Sequence, residues 1–192
     1  TTVFETGHCT LDWDDLVESG LPGLKRRAEE SLRRHCGDED KEIFLRGAIG
    51  LYDALISFVN RYAIKAAQEG MSELAGVLSA IAERAPGSFY EGLQLCWIIT
   101  FVDCAYITAN PTLSLGRPDR FLYRLYKKDK ERGVSDERIK QIITDYYCKH
   151  NLIMGRGEHQ LGDESNTTGW GRILNFDAPQ YLHPAGPDEN GR

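Results

Sequence analysis

The chain contains no pair of cysteines with the spacing C-x-x-C. Structural zinc sites usually depend on such pairs, and a complete disulfide framework uses an even number of cysteines. The cysteines here are odd in number and scattered along the chain, at Cys9, Cys36, Cys96, Cys104 and Cys148. The sequence therefore predicts neither feature and favours a reducing, cytoplasmic location.

A long apolar run is also missing. The longest one covers 93–102, whereas a helix that spans a bilayer needs roughly 20 apolar residues. The first residues do not combine a cationic start, an apolar run and a small-residue cleavage site. We therefore expect no membrane association and no secretion signal.

The chain has fewer basic than acidic residues. The chain has 23 lysines and arginines against 29 aspartates and glutamates, which gives a net charge of −6. The densest basic stretch, 25–34, is interleaved with glutamates and is interpreted as a solvated helix face. Since such a chain repels a polyphosphate backbone, we expect no nucleic-acid partner.

Several common catalytic motifs are absent, including G-x-G-x-x-G, the Walker loop, H-E-x-x-H and G-x-S-x-G. The acidic turn at 12–15 is interpreted as a helix start, where carboxylates face the positive end of the helix dipole. His150, His159 and Asp163 could be metal ligands, but glycine-rich sequence separates them without a regular spacing. We predict no metal site.

Helical periodicity dominates the first three quarters of the chain. It predicts helices over 12–34 with a break at 20–23, and over 41–69, 72–84, 89–105 and 119–132, with a last one capped by Ser135. An extended segment is predicted at 110–115. The sequence then becomes rich in glycine and proline, with one short strand at 172–176. We divide the chain into a helical region, 11–152, and a Gly/Pro-rich segment, 153–192.

Two helices differ in how their apolar residues are distributed. The helix at 41–69 has one apolar stripe, made of Phe44, Ala48, Leu51, Leu55, Val59, Tyr62 and Ala66. The helix at 89–105 is apolar on nearly every face and needs cover on all sides. We expect this exposure to be relieved by self-association, which predicts a homo-oligomer, or by the Gly-rich tail folding over the helix.

Four segments resemble, in the same order, four motifs of glycyl radical enzymes of the pyruvate formate-lyase class. G-H-C-T-L-D-W at 7–13 is similar to G-H-x-x-x-D-[YF], and P-G-S-F-Y-E-G-L-Q at 86–94 is similar to P-x-x-[FT]-x-E-A-L-Q. S-L-G-R-P-D at 114–119 resembles S-x-G-R-x-D, and D-E-N-G-R at 188–192 resembles D-E-x-G-R. Together the segments span nearly the whole chain.

The resemblance implies a predominantly α-helical fragment, with a few short strands, of a ten-stranded α/β barrel. In that family an activating enzyme, with an iron–sulfur cluster and S-adenosylmethionine, installs a radical on a glycine. A cysteine thiyl then abstracts hydrogen from a small substrate, and a C–C, C–O, C–N or C–S bond is cleaved. A closed barrel keeps the radical from water.

The family's two radical-bearing motifs do not occur in this sequence. The catalytic cysteine lies in G-C-[VI]-E and the radical glycine in R-V-x-G-[YF], and neither pattern is present. The resemblance thus implies no catalytic residue and no bound cofactor here. The missing C-terminal half would supply both motifs and bind the activating enzyme.

The resemblance does imply substrate-binding residues in this part of the barrel. His8 matches a position at which some members, notably dehydratases, hold a substrate hydroxyl, and Thr112 and Ser114 match a strand that faces the barrel interior. His8 could instead cap a helix, and Ser114 could satisfy the backbone. Arg117 and Asp119 are interpreted as a structural ion pair at the strand-to-helix turn.

The leading interpretation is therefore part of a glycyl radical lyase or acyltransferase that is inactive alone. One alternative is a non-catalytic helical interaction module derived from the same scaffold. Another is an unrelated helical hydrolase with Asp12 and His8 as acid and base. The sequence does not identify the substrate.

Overall fold

The structure is a computed structural model that describes residues 9–103 and 113–150. Seven helices and two short strands occur in this part of the chain. In order they are β1 (Cys9–Thr10), α1 (Trp13–Arg34), α2 (Glu39–Gln68), α3 (Ser72–Glu83), α4 (Phe89–Val102), β2 (Leu113–Ser114), α5 (Pro118–Phe121), α6 (Tyr123–Glu131) and α7 (Asp136–His150). The predicted strand at 172–176 and the Gly/Pro-rich segment lie outside the described residues. The division of the chain at 152 stays a prediction.

The chain forms two compact units. One unit comprises Asp14–Leu95, and the other comprises the remaining residues on both sides of it. In the first unit α2 and α3 pack against each other. Apolar side chains are buried on both helices: Leu55, Val59, Ala63 and Ala66 on α2, and Leu78, Ile81 and Ala82 on α3.

The predicted break in α1 is confirmed at Gly20. This residue has φ 63° and ψ 172°, a backbone conformation that is essentially restricted to glycine. A Cβ built there would lie 2.7 Å from the Cα of Ala85 and 3.2 Å from the carbonyl oxygen of Arg84. Both the conformation and the close approach therefore require glycine at this position.

The predicted apolar stripe of α2 is only half correct. Leu55, Val59 and Ala66 are buried as expected, but Phe44 and Leu51 are 73% and 49% exposed. At about 1.5 Å per residue, α2 is roughly 45 Å long and α3 only about 18 Å, so α3 cannot cover the whole of α2. The prediction was wrong for Phe44 and Leu51 in the N-terminal half of the stripe and for Tyr62, which is 48% exposed, in the C-terminal half.

Helix α4 begins as predicted, because the Ser88 hydroxyl accepts a hydrogen bond from the Glu91 backbone N–H at 3.2 Å. No residue from Phe89 to Asp103 is exposed, so the chain itself covers this helix. Cover from within the chain is one of the two expected outcomes for α4, and the homo-oligomer stays a prediction. Residues 104 and 105 lie outside the described ranges.

The second unit shows one further correction. The single helix predicted over 119–132 is two helices, α5 and α6, separated by Leu122, which is fully buried. Pro118 begins α5, a position that suits proline because its missing N–H has no partner in the first turn. The cap of α7 is also confirmed, since the Ser135 hydroxyl accepts from the Arg138 N–H at 3.1 Å.

Within the two described ranges, no helix is long and apolar enough to cross a membrane.

The turn after β2 is fixed by the predicted ion pair. Arg117 donates from Nε to Asp119 Oδ1 at 2.8 Å and from Nη2 to Oδ2 at 2.7 Å, a two-point contact. The bonds from Arg117 hold the pKa of the Asp119 carboxyl below its usual value. The interpretation of Arg117 and Asp119 as a structural pair is confirmed.

We predict that Gly20→Ala lowers the free energy of unfolding by at least about 2 kcal/mol, through backbone strain and the contact with Ala85. Gly76→Ala is the matched control, because Gly76 lies in α3 with open space around its Cα; we expect a gain of about 0.5–1 kcal/mol there. Urea unfolding followed by circular dichroism measures both. Equal midpoints for Gly20→Ala and the unchanged chain would contradict the assignment.

We also predict that Asp119→Asn reduces the pH dependence of stability in acid. The pKa of Asp119 is lower folded than unfolded, so its contribution is complete above the unfolded pKa of about 3.9 and is lost as the pH falls through the folded value. The pair is about one-third exposed, so we expect the variant to lose roughly 0.5–1 kcal/mol at pH 7 and nothing near pH 2. Urea unfolding from pH 7 to pH 2 tests this. Asp145→Asn is the control, and an identical pH profile for the two variants would refute the role of the pair.

Candidate functional site

The two strands bring together segments that are far apart in the sequence. β1 and β2 are parallel, with Cys9 paired to Leu113 and Thr10 paired to Ser114. In the sequence, His8 directly precedes the first residue of β1, and Thr112 directly precedes the first residue of β2. His8 and Thr112 themselves lie outside the described residues. Two of the three predicted substrate-binding residues are therefore the direct sequence neighbours of the paired strands.

Ser114, the third predicted residue, is the last residue of β2 and pairs with Thr10. Its carbonyl oxygen accepts hydrogen bonds from the Trp13 indole N–H at 3.0 Å and from the Thr10 hydroxyl at 3.3 Å. Its hydroxyl oxygen accepts from the Gly116 N–H at a long 3.4 Å. The carbonyl group therefore accepts two hydrogen bonds that hold the strands together. The hydroxyl group accepts only one long hydrogen bond and keeps its own proton to donate.

Trp13 holds the two strand segments in place. Its side chain is buried, and its ring stacks on Phe121, with centroids 6.2 Å apart and planes 16° from parallel. Gly116 has φ 57°, and a Cβ there would lie 3.6 Å from Trp13 Cδ1. The indole thus contacts both the end of β2 and the turn that follows it. The sequence motif at 7–13 includes Trp13, but nothing in its local pattern indicated this contact.

An aromatic cluster between α4 and α7 is a second feature that the sequence analysis missed. His150 is buried and meets two rings edge-on, Tyr146 at 4.5 Å and Trp97 at 5.4 Å between centroids. Lys149 Nζ lies 5.8 Å from the Trp97 centroid, and burial lowers the pKa of this lysine. The signal was present, because His150 follows Tyr146 by four residues and continues the buried stripe of α7. The cluster packs α7 against α4 through the contact of His150 with Trp97.

The candidate metal ligands are not brought together in the described part of the chain. His150 is one of them and belongs to the aromatic cluster, while His159 and Asp163 lie outside the described residues. Within 9–103 and 113–150, no group of three histidine, cysteine or acidic side chains could hold a metal ion.

The cysteines with described side chains fall into two kinds. Cys96 is fully buried, and burial raises its thiol pKa well above the usual value, which opposes thiolate formation. Cys96 is therefore a packed thiol of the core. Cys36 and Cys148 are exposed.

Comparison with known proteins places the chain close to one family. The pattern of the pyruvate formate lyase-like family matches residues 2–161. The chain is 28% identical over 162 residues to the probable dehydratase YbiW of Escherichia coli. It is 24% identical over 149 residues to the isethionate sulfite-lyase of Oleidesulfovibrio alaskensis. These alignments cover 76% and 69% of the chain, but only 20% and 18% of the two relatives.

Solved structures show the same fold. The glycerol-bound form of the B12-independent glycerol dehydratase from Clostridium butyricum matches 98% of this chain with a TM-score of 0.72 and 24% identity. A glycyl radical enzyme from Archaeoglobus fulgidus matches 71% with a TM-score of 0.63. The chain corresponds to 25% and 20% of those two proteins. Because the family pattern covers most of its residues, the chain belongs to the pyruvate formate lyase-like family of glycyl radical enzymes.

Proposed function

We propose that this chain forms part of the barrel of a glycyl radical lyase and contributes a substrate-binding wall without the radical-bearing residues. The observation that carries the proposal is the parallel register of β1 and β2. It joins the motif that begins at Gly7 to the motif that begins at Ser114, as neighbouring strands of a barrel require. The short span relative to the family's full-length members supports the view that the remaining strands belong to other sequence.

We assign substrate binding to His8, Thr112 and Ser114. In the sequence, His8 and Thr112 each directly precede a residue of the paired strands, and Ser114 belongs to β2. This sequence position, together with the family resemblance, supports the assignment. An imidazole and two hydroxyls can orient a small polar metabolite and accept or return a proton.

The proposal separates two roles. The protein radical of this family supplies hydrogen abstraction, with cleavage of a C–C, C–O, C–N or C–S bond. The residues of this chain bind and orient the substrate and help to keep water from it. The relatives include a sulfite-lyase, a probable dehydratase and a decarboxylase subunit, so we assign the reaction class and no individual substrate. We place the protein in the cytoplasm, with an activating enzyme as its partner.

We predict that this 192-residue chain forms no glycyl radical. The R-V-x-G-[YF] loop is absent from the sequence, so an activating enzyme has no acceptor glycine in its family context. The measurement is electron paramagnetic resonance after anaerobic incubation with an activating enzyme, S-adenosylmethionine and a reductant. A full-length glycyl radical enzyme with the same activating enzyme is the control. A glycyl-type doublet from the chain alone would overturn the proposal.

A further prediction concerns Ser114 in a polypeptide that also carries the G-C-[VI]-E and R-V-x-G-[YF] motifs. Ser114→Ala should lower kcat/KM by about 3- to 10-fold, the effect of one hydrogen bond to a neutral group, with little change in stability.

The matched control is Ser135→Ala, which removes the cap of α7 and should cost about 1 kcal/mol of stability with kcat/KM unchanged. Equal kcat/KM for Ser114→Ala and the parent would remove Ser114 from the site. If this chain acts without any polypeptide that carries these two motifs, the non-catalytic interaction module is favoured instead.

A further inference from the structure

The strand pair has one packed face and one open face. Over residues 113–115 the burial alternates, because Leu113 and Leu115 are fully buried whereas Ser114 is only partly buried. Successive side chains of an extended segment point to opposite faces. The two leucines therefore lie on the core side, and the Ser114 side chain lies on the face that the core of this chain leaves open.

Thr10 lies on the same open face. It pairs with Ser114 in the parallel register, and paired residues of neighbouring strands share a face because the pleats of the two strands are aligned. Its side chain is exposed. An exposed threonine is ordinary in a strand, and the motif at 7–13 leaves position 10 open. The register with Ser114 is what distinguishes Thr10.

The two hydroxyl groups are used in opposite ways. The Thr10 hydroxyl donates its single proton to the Ser114 carbonyl oxygen at 3.3 Å or to the Leu11 carbonyl oxygen at 3.5 Å. The Ser114 hydroxyl accepts from the Gly116 N–H at 3.4 Å. Within 9–103 and 113–150, nothing donates to Thr10 Oγ1 and nothing accepts the Ser114 proton. Thr10 thus offers a hydrogen-bond acceptor on the face where Ser114 offers a donor.

From this complementarity we propose that Thr10 is a further substrate-binding residue, which holds one hydroxyl group of the substrate together with Ser114. An alcohol both donates and accepts, so it can donate to Thr10 Oγ1 and accept from the Ser114 hydroxyl. A carboxylate or an ether has no proton to donate, so it would bind both residues only if Thr10 gave up its bond to the backbone. The inference rests on the proposed role of Ser114, and it adds a residue and the chemical group that the two residues hold.

Glycerol binding tests the inference, in the radical-free form of a polypeptide that also carries the G-C-[VI]-E and R-V-x-G-[YF] motifs. Glycerol is the probe because it is small and each of its hydroxyls can donate and accept. Thr10→Val removes the hydroxyl and keeps the shape of the side chain, so it should raise the Kd for glycerol about 3- to 10-fold, the effect of one hydrogen bond. Thr10→Ser keeps the hydroxyl and should stay within about twofold of the parent. Ligand-observed NMR titration measures the Kd.

Two controls separate a substrate contact from a structural effect. Thr144→Val is the matched variant, because Thr144 is also exposed but lies on α7, outside the strand pair; it should leave the Kd unchanged. The matched ligand is 1,2-dimethoxyethane, which accepts hydrogen bonds but donates none, so its binding should not distinguish Thr10→Val from the parent. Urea unfolding midpoints verify that every variant folds.

The double variant Thr10→Val with Ser114→Ala tests whether the two residues hold the same group. Its loss of affinity should be smaller than the product of the two single losses. Equal losses for Thr10→Val and Thr10→Ser would make Thr10 a structural residue and overturn the inference, as would a parent that binds no glycerol up to about 100 mM. If Ser114→Ala weakens binding and Thr10→Val does not, Thr10 is no substrate contact and the proposed role of Ser114 stands. If neither variant changes the Kd, both roles fail.

Discussion

The strand pair depends on one hydrogen bond between residues 101 positions apart in the sequence, from the Trp13 indole to the Ser114 carbonyl. Two strands of two residues each cannot form a stable ladder on their own. The buried indole adds an apolar surface and a donor at the place where the ladder ends. Gly116 leaves room for it, and Phe121 stacks on it. Without Trp13, the two segments would be joined by the short ladder and by the longer bond from the Thr10 hydroxyl to the Ser114 carbonyl.

This constraint separates structural residues from candidate substrate-binding residues. In the turn after β2, Arg117 and Asp119 bind each other through two hydrogen bonds, and the Ser114 carbonyl is used twice. What remains available on the strand is the Ser114 hydroxyl. The motif S-L-G-R-P-D therefore combines one candidate substrate contact with residues that fix the strand. This explains why a motif match alone does not identify which of its residues face the substrate.

Features set by a few neighbouring residues could be predicted from the sequence. The cap at Ser88, the cap at Ser135 and the break at Gly20 all follow from local chemistry. Features set by distant residues could not be predicted in this way. The contact of Trp13 with Ser114 joins two distant segments, and the local sequence of neither segment indicates the other. For the site, the sequence indicated three residues by resemblance, and the structure describes Ser114 alone.

The helices α2 and α4 show why apolar content by itself does not decide exposure. Helix α4 is apolar on all sides and has no exposed residue, whereas α2 is amphipathic and leaves half of its stripe open. The difference arises because α3, the partner of α2, is less than half as long. A helix that only had to remain stable in water would have alanine or polar residues along the uncovered half. Gly47, Gly50 and Phe44 are neither, and glycine weakens a helix unless close approach requires it. The composition of that half is therefore explained neither by the stability of the helix itself nor by its contact with α3.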